Sequence, residues 1–347
     1  GHTLVEALAG SGKSTTQEEM ICVIPRGLKV LVCAFNVEIK NAFKEREARI
    51  LFRRPDLADK GGLEIKTICG LGFSVCRYAF KGVKVDEFKA YDQAQELVPG
   101  DEFKAYRSML VKLGGLAKGF LIDNPRDAFL ICAKRGDTEL ALVRIGVDPE
   151  KANEKDEQRA IDQMAKDLLA LMNAARSDTS RVDFDDMWWL PLVLNLRGWG
   201  YDRIFCDEFQ DLNYTQFQLI KKMIKRNGRV CVVGDKNQVI YEWRGGSVDM
   251  MDIFAEEMNA KRLPLHVTYR CDKLIVDLAK TIVEEFTARP NAPIGLIEEV
   301  QTKEYDAVYE LARPGDFVIS RKNAPLLSLC LGFLKRGTPA IIRGRKD

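Results

Sequence analysis

The chain has 347 residues, a length that predicts two or three domains at about 100–200 residues per domain. Lysine and arginine total 53 against 51 for aspartate and glutamate, a formal net charge of +2, so overall charge neither requires nor excludes a nucleic-acid partner. Apolar residues make up 46%, which excludes disorder as the dominant state. No apolar stretch approaches the roughly 20 residues that span a bilayer, and we therefore expect no membrane partner.

The nine cysteines are dispersed, and the only histidines are His2 and His266. This pattern argues against a zinc site and is typical of a reduced compartment, so we expect a cytoplasmic protein, or a nuclear one if the host is eukaryotic. With so little histidine, acid–base chemistry falls mainly to carboxylates. The chain starts without an initiator methionine and stops just after a predicted strand, which favours a fragment of a longer protein.

Apolar strands alternate with helices at the start of the chain. The predicted strands are Thr3–Leu8, Lys29–Phe35 and Glu64–Thr67, one helix begins near Gly12, and a second covers Val37–Phe52. Strands with continuous apolar character, separated by helices, are typical of a buried parallel sheet in an α/β fold.

From about residue 75 to residue 180 charged, helix-like segments dominate, and we interpret this stretch as a helical insertion. The α/β pattern then resumes. Later predicted strands are Tyr201–Asp207, Arg229–Gly234, Leu265–Thr268, Asp316–Ser320 and Ala340–Arg343, and later predicted helices are Asn213–Lys225, Lys273–Thr287 and Ala324–Arg336. We therefore expect a first α/β domain at 1–75 and 181–262, an insertion at 76–180, and part of a second α/β domain at 263–347.

A glycine-rich motif follows the first predicted strand. Ala7–Ser14 reads Ala-Leu-Ala-Gly-Ser-Gly-Lys-Ser, a phosphate loop in which small residues let backbone N–H groups surround phosphates. Lys13 is expected to reach the β and γ phosphates, and the Ser14 hydroxyl to hold Mg²⁺. The predicted nucleotide-binding residues of this loop are Ala9, Gly10, Ser11, Gly12, Lys13, Ser14 and Thr15. The general pattern starts with glycine, where this chain has Ala7.

A pair of carboxylates follows a later strand. Cys206–Asp211 reads Cys-Asp-Glu-Phe-Gln-Asp, at the place where a phosphate-loop ATPase carries its second nucleotide-binding motif. We predict that Asp207 holds Mg²⁺ and that Glu208 polarises the attacking water. A solvated acidic turn is the alternative for this motif alone, but the phosphate loop earlier in the chain favours a nucleoside triphosphatase. The expected cofactors are ATP and Mg²⁺.

Val233–Gly246 follows the next strand, and with this segment the chain resembles a superfamily 1 DNA helicase of the UvrD/Rep type over nearly its whole length except the insertion. In that family the phosphate loop starts with alanine, as Ala7 does here. The resemblance implies a RecA-like P-loop NTPase domain with a parallel sheet, a mainly helical insertion, and part of a second RecA-like domain. It also implies an ATP-dependent translocase that moves 3′ to 5′ on single-stranded DNA and unwinds duplexes at junctions.

The resemblance also assigns roles around the nucleotide. Gln238 matches the family's γ-phosphate-sensing glutamine. Leu265–Arg270 resembles a motif Asn-Tyr-Arg-Ser, in which Tyr269 would stack on adenine and Arg270 would reach the γ-phosphate; Thr268 and Cys271 replace its outer residues. The predicted catalytic residues are Lys13, Glu208, Gln238 and Arg270.

Further matches imply contacts with DNA. Phe35 and Asn36 resemble the family's first DNA-contacting motif, and Thr67 begins the next, in which Cys69 and Gly70 depart from the usual Thr-x-His-Ser. The residues that the resemblance places on DNA are Phe35, Asn36, Thr67, Tyr241, Trp243 and Arg244. Exposed aromatic side chains stack on bases without sequence preference, and packing in the core is the alternative for the aromatic members of this set.

Other functions remain open at this point. The chain could be a DNA-stimulated ATPase that remodels protein–nucleic acid complexes without strand separation, or the helicase subunit of a recombination helicase–nuclease complex. A non-enzymatic scaffold with a vestigial nucleotide site is disfavoured, because all the residues that the chemistry needs are present.

Overall fold

The computed structural model describes residues 1–59, 61–239, 250–299, 305–320 and 322–342. Contacts within the chain divide it into two compact units, Gly1–Pro293 and Ile294–Asp347. The elements of the first unit are β1 (Thr3–Ala7), α1 (Lys13–Val23), β2 (Val30–Ala34), α2 (Val37–Arg53), β3 (Leu63–Thr67), α3 (Ile68–Ala79), β4 (Lys84–Val85), α4 (Lys89–Leu97), α5 (Lys104–Gly119), α6 (Pro125–Arg135), α7 (Thr138–Arg144), α8 (Glu154–Ser177), β5 (Arg181–Val182), α9 (Phe184–Val193), β6 (Tyr201–Cys206), α10 (Tyr214–Lys222), β7 (Ile224–Gly234), α11 (Met250–Glu257), β8 (Lys261–Leu265), β9 (Val267–Thr268), α12 (Lys273–Ala279) and β10 (Thr287–Ala288).

A six-stranded sheet with the order β3-β2-β6-β7-β1-β8 forms the centre of this unit. Every neighbouring pair in it is parallel, so all six strands end at the same edge. Parallel strands need crossover connections, usually helices, and this requirement explains the alternation of strands and helices in the sequence. The predicted parallel-sheet α/β fold is confirmed.

Alternate residues of the strands fill two cores, as the two-residue period of a strand requires. Val30 and Val32 of β2 pack with Ile21 of α1 and Phe43 of α2 on one face. Leu31, next to them in the sequence, belongs to the cluster on the other face, which continues into the helices of the insertion.

The predicted insertion, residues 76–180, contains the helices α4–α8 and the strand β4, which pairs in parallel with β5 directly after it. Its mainly helical character is therefore confirmed. The ammonium groups of Lys89 and Lys118, on α4 and α5, contact the two carboxylate oxygens of Asp186 on α9 at 2.6 and 2.7 Å. All three residues are buried, and unpaired buried charges are costly, so this cluster fastens the insertion helices to α9.

Several elements end elsewhere than the sequence predicts. The helix expected over Asn213–Lys225 ends at Lys222, because β7 begins at Ile224. The helix expected over Lys273–Thr287 ends at Ala279, and Thr287–Ala288 pairs with β9 instead.

The strand expected over Leu265–Thr268 is divided between two sheets. Its first residue ends β8, which pairs with β1 in the central sheet, and Val267–Thr268 form β9. The predicted domain boundary after residue 262 stays a prediction.

The second unit contains the helices α13 (Asp306–Leu311) and α14 (Asn323–Lys335). Tyr309 and Phe333 pack edge to face at 4.8 Å between ring centres, and the Arg336 guanidinium lies 3.7 Å from the centre of the Tyr309 ring. The strands expected at 316–320 and 340–343 are absent over 316–320 and 340–342, while residue 343 lies outside the described part. A strand forms by pairing, and no partner strand is found among the described residues of this unit.

None of the described helices is both long and apolar enough to cross a membrane.

Candidate nucleotide site and nucleic-acid edge

Those predicted functional residues that the structure describes lie along the carboxyl edge of the sheet, where open α/β sheets bind ligands. In sheet order, the edge carries Thr67 at β3, Phe35 and Asn36 after β2, Asp207 and Glu208 after β6, Gln238 after β7, the phosphate loop after β1, and Tyr269 and Arg270 beyond β8. Residues that are about 260 positions apart in the sequence are thus brought to one side of the sheet.

The phosphate loop turns sharply into α1. Gly10 and Gly12 have φ values of 70° and 88°, which glycine adopts without the cost that other residues meet. Helix α1 begins at Lys13, and no side chain in the described part of the chain caps it, so its first N–H groups can bind an anion. Ser11 is 6% exposed, and its buried hydroxyl has no hydrogen-bond partner among the described residues. A phosphate oxygen would supply the missing acceptor, so the loop fits a nucleotide.

Asp207 lies next to the start of α1. Its Oδ2 accepts a hydrogen bond from the Ser14 hydroxyl at 3.4 Å, and its Oδ1 accepts one from the Glu208 N–H at 3.0 Å. Asp207 is only 4% exposed. Burial, together with the neighbouring charge of Glu208, raises the pKa of its carboxyl group to about 6. A buried carboxylate beside a hydroxyl is a suitable oxygen donor set for Mg²⁺, so the residues present fit the metal that the sequence predicts.

Glu208 forms an ion pair with the phosphate-loop lysine. Its Oε2 lies 3.1 Å from Lys13 Nζ. Glu208 has a φ of 48°, in the left-handed region that non-glycine residues rarely occupy. Such backbone conformations cluster at functional sites, and here the conformation places a carboxylate beside the phosphate loop.

Hydrogen bonds connect Glu208 with Gln238 through two further residues. Gln210 Nε2 donates to Glu208 Oε2 at 2.9 Å, and Gln210 Oε1 accepts from the Asp235 backbone N–H at 3.0 Å. Gln238 Nε2 in turn donates to Asp235 Oδ2 at 2.6 Å. The predicted water-polarising and phosphate-sensing side chains therefore belong to one network.

The segment with Tyr269 and Arg270 lies against the phosphate loop. The Tyr269 N–H donates to the Gly10 carbonyl at 2.9 Å, while its side chain is 64% exposed. A Cβ atom on Gly10 would lie 2.6 Å from both the Arg270 Cβ and the Thr268 Oγ1. Only glycine permits this approach, which brings the predicted adenine-stacking and γ-phosphate-contacting residues to the nucleotide site.

Contact with DNA stays a prediction for all six residues that were expected to face it, and the structure describes three of them. Asn36 and Thr67 accept hydrogen bonds from the N–H groups of Ile39 and Gly70, at 2.8 and 3.0 Å, and so cap the helices that follow. Phe35 is half-buried and packs against the core. Tyr241, Trp243 and Arg244 lie outside the described residues, and their contact with DNA stays a prediction.

Sequence reasoning assigned no role to Gln210 or Asp235. Both stood inside motifs already singled out, since Gln210 is the glutamine of Asp-Glu-Phe-Gln-Asp and Asp235 follows the glycine that ends β7. A polar residue in such a motif indicates a role, but only coordinates show which atoms it connects.

Comparisons with known proteins identify relatives of this chain. The sequence model described as the UvrD/REP helicase N-terminal domain matches residues 1–259. The chain is 26% identical to the ATP-dependent DNA helicase Rep of Escherichia coli over 302 residues, covering 82% of this chain and 41% of that protein. It is 31% identical to the ATP-dependent DNA helicase PcrA of Bacillus subtilis over 137 residues, covering 37% of this chain and 18% of that protein.

A probable DNA helicase II homolog of Mycoplasma pneumoniae is 32% identical over 129 residues, which are 34% of this chain and 18% of that protein. The chain thus spans less than half the length of each of these relatives. Because the family model covers residues 1–259, well over half of the sequence, the chain belongs to the UvrD/REP helicase N-terminal domain family.

Proposed function

We propose that this protein is part of an ATP-dependent DNA helicase that moves 3′ to 5′ on single-stranded DNA and unwinds duplexes at junctions. The observation that carries the proposal is the meeting of Lys13, Ser14, Asp207 and Glu208 at one edge of the sheet. Three curated relatives with names of DNA helicases support the choice of nucleic acid as the partner.

The chain's own residues account for hydrolysis of ATP. Phosphates in the loop would draw Lys13 away from Glu208 and leave that carboxylate free to polarise a water aimed at the γ-phosphate. Ser14 and Asp207 would hold Mg²⁺, which neutralises phosphate charge when bound. Gln238 would contact the γ-phosphate.

Two residues beyond β8 would complete the nucleotide site. Tyr269 would stack on the adenine, since its ring is exposed beside the phosphate loop. Arg270 would stabilise the negative charge that develops during transfer.

We further propose the domain organisation expected from the sequence. Residues 1–75 and 181–262 would form the ATP-binding domain, residues 76–180 its insertion, and residues 263–347 the start of a second RecA-like domain. An intracellular location, where the DNA is, fits this function. Phe35, Asn36 and Thr67 would face DNA at the end of the sheet edge opposite the phosphate loop, because β3 and β2 lie at one side of the sheet and β1 near the other.

The test measures ATP hydrolysis with and without single-stranded DNA, and strand displacement on duplexes with either a 3′ or a 5′ tail. DNA-stimulated hydrolysis with displacement from the 3′-tailed duplex is expected. Stimulated hydrolysis without displacement from either duplex would indicate remodelling of protein–nucleic acid complexes instead. Absence of hydrolysis under all conditions would indicate a scaffold and refute the enzyme.

A further inference from the structure

We propose that Gln210 is a positioning residue that orients Glu208 toward the water that attacks ATP and couples that orientation to Gln238. The inference rests on the proposed ATPase function and assigns a role to a residue that the nucleotide motifs leave without one. Its basis is the placement of the Gln210 amide between the end of β6 and the end of β7.

The orientation of the amide follows from its partners. The backbone N–H of Asp235 can only donate, so the oxygen of Gln210 must face it at 3.0 Å. The Nε2 group then faces Glu208 Oε2 at 2.9 Å, where a carboxylate needs a donor. Gln210 is 2% exposed, so water does not compete freely for either bond.

Gly234 provides the space for this side chain. A Cβ atom on Gly234 would lie 2.5 Å from Gln210 Oε1 and 3.3 Å from the Gln210 backbone nitrogen. Any larger residue at the end of β7 would displace the amide. Glycine is therefore required at this position, because β7 closely approaches the loop after β6.

The Asp235 carboxylate continues the connection. Its Oδ1 accepts from the Asn237 N–H at 3.0 Å, and its Oδ2 accepts from Gln238 Nε2 at 2.6 Å. This carboxylate fixes the short turn that presents Gln238. The backbone of the same residue holds Gln210, so a shift of Gln238 on meeting the γ-phosphate is transmitted to the group that holds Glu208.

Lys13 donates to the same Glu208 oxygen, at 3.1 Å. When phosphates draw Lys13 away, the Gln210 amide stays as a side-chain donor to Glu208. The carboxylate then keeps its direction at the moment when a water must be aligned, and such alignment of a general base governs the rate of the chemical step.

The decisive variant is Gln210→Glu, which keeps an acceptor for the Asp235 N–H and replaces the donor to Glu208 with a second carboxylate. The matched control is Gln218→Glu. Gln218 lies at the surface on α10, and its Nε2 also donates to a glutamate, at 3.0 Å from Glu257 Oε2. Both variants are measured as the whole protein, with ATP turnover at saturating single-stranded DNA and normalised to the fraction that binds a fluorescent ATP analogue.

We expect Gln210→Glu to lower kcat about 10- to 100-fold while KM for ATP changes less than about threefold, since the interaction matters mainly in the transition state. A merely structural role would reduce the competent fraction and leave kcat per competent molecule unchanged. A kcat and a KM equal to those of Gln218→Glu would overturn the proposal.

A second variant perturbs the Gln210 amide by a substitution at the end of β7. Gly234→Ala should lower kcat in the same direction, and in combination with Gln210→Ala the two losses should fall short of additivity, since both act on one contact. Fully additive losses would contradict the role of Gln210. If the unmodified protein hydrolyses no ATP, the proposed function fails and this inference fails with it, whereas normal wild-type turnover with unaffected variants refutes the inference alone.

Discussion

Replacing Asp207 with asparagine is expected to stabilise the nucleotide-free fold while it removes activity. The pKa of this carboxyl group is raised from 3.8 to about 6 by burial and by Glu208. The ionised form is therefore disfavoured in the folded state, and the destabilisation begins above the unfolded pKa and is complete above the folded one. A difference of about two pKa units corresponds to about 3 kcal/mol of unfolding free energy at neutral pH.

Asparagine retains part of the local hydrogen bonding. Its oxygen can accept from the Glu208 N–H, and its amide can face the Ser14 hydroxyl, whose oxygen is able to accept. We therefore expect Asp207→Asn to raise the free energy of unfolding by about 1–3 kcal/mol near pH 7.5, with a smaller gain near pH 4.5. Urea unfolding in EDTA, at both pH values, measures the difference.

The control is Asp59→Asn, because Asp59 is exposed and a surface change of this kind alters stability by about 0.5 kcal/mol or less. A less stable Asp207→Asn protein near neutral pH, or a gain that does not change with pH, would refute the reasoning from burial. The variant should also lose Mg²⁺-dependent hydrolysis of ATP, and full activity would remove Asp207 from the metal site.

Four further variants have expected outcomes. Glu208→Gln should retain ATP binding but slow single-turnover hydrolysis by about 100-fold or more, whereas Lys13→Ala should weaken nucleotide binding and turnover together; near-normal turnover in the first variant would assign the water to another residue. Trp243→Ala should lose about 1–3 kcal/mol of single-strand affinity if the ring stacks on bases, and about 3–5 kcal/mol of stability instead if it is a core residue, so affinity and thermal unfolding on one preparation distinguish the two. Asp186→Ala should cost about 3–5 kcal/mol of unfolding free energy, because it leaves two buried lysines without their shared carboxylate, and an unchanged urea midpoint would contradict that cluster.

The central sheet could be predicted from the sequence because its signals are local. Strands such as Val30–Ala34 are entirely apolar and are followed by helices with polar caps, as Asn36 provides for α2. The failures occur where pairing decides the outcome. Residues 316–320 have strand-like composition, but no neighbouring strand pairs with them in the described part of the second unit.

The candidate site could be predicted only as far as its motifs extend. Lys13, Asp207 and Glu208 could be predicted because they lie in short motifs whose residue types and order indicate nucleotide binding. The bonds from Gln210 to Asp235 were not predictable, since they depend on the spacing of β6 and β7 and on the absence of a side chain at Gly234. The buried ion pair between Lys89 and Asp186 was not predictable either, because its two residues are about 100 positions apart in the sequence.

The polar side chains of the candidate site hold one another in place. Lys13 pairs with Glu208, and Ser14 donates to Asp207; in the proposed mechanism the same side chains would hold phosphate and Mg²⁺. A contact within the protein thus keeps each of them near the position that the mechanism requires. Little reorganisation is then needed when ATP binds, which is the condition under which fixed charges and dipoles accelerate a reaction most. The parallel sheet serves this end directly, because its strand spacing, and not the ligand, sets the distances between the catalytic groups.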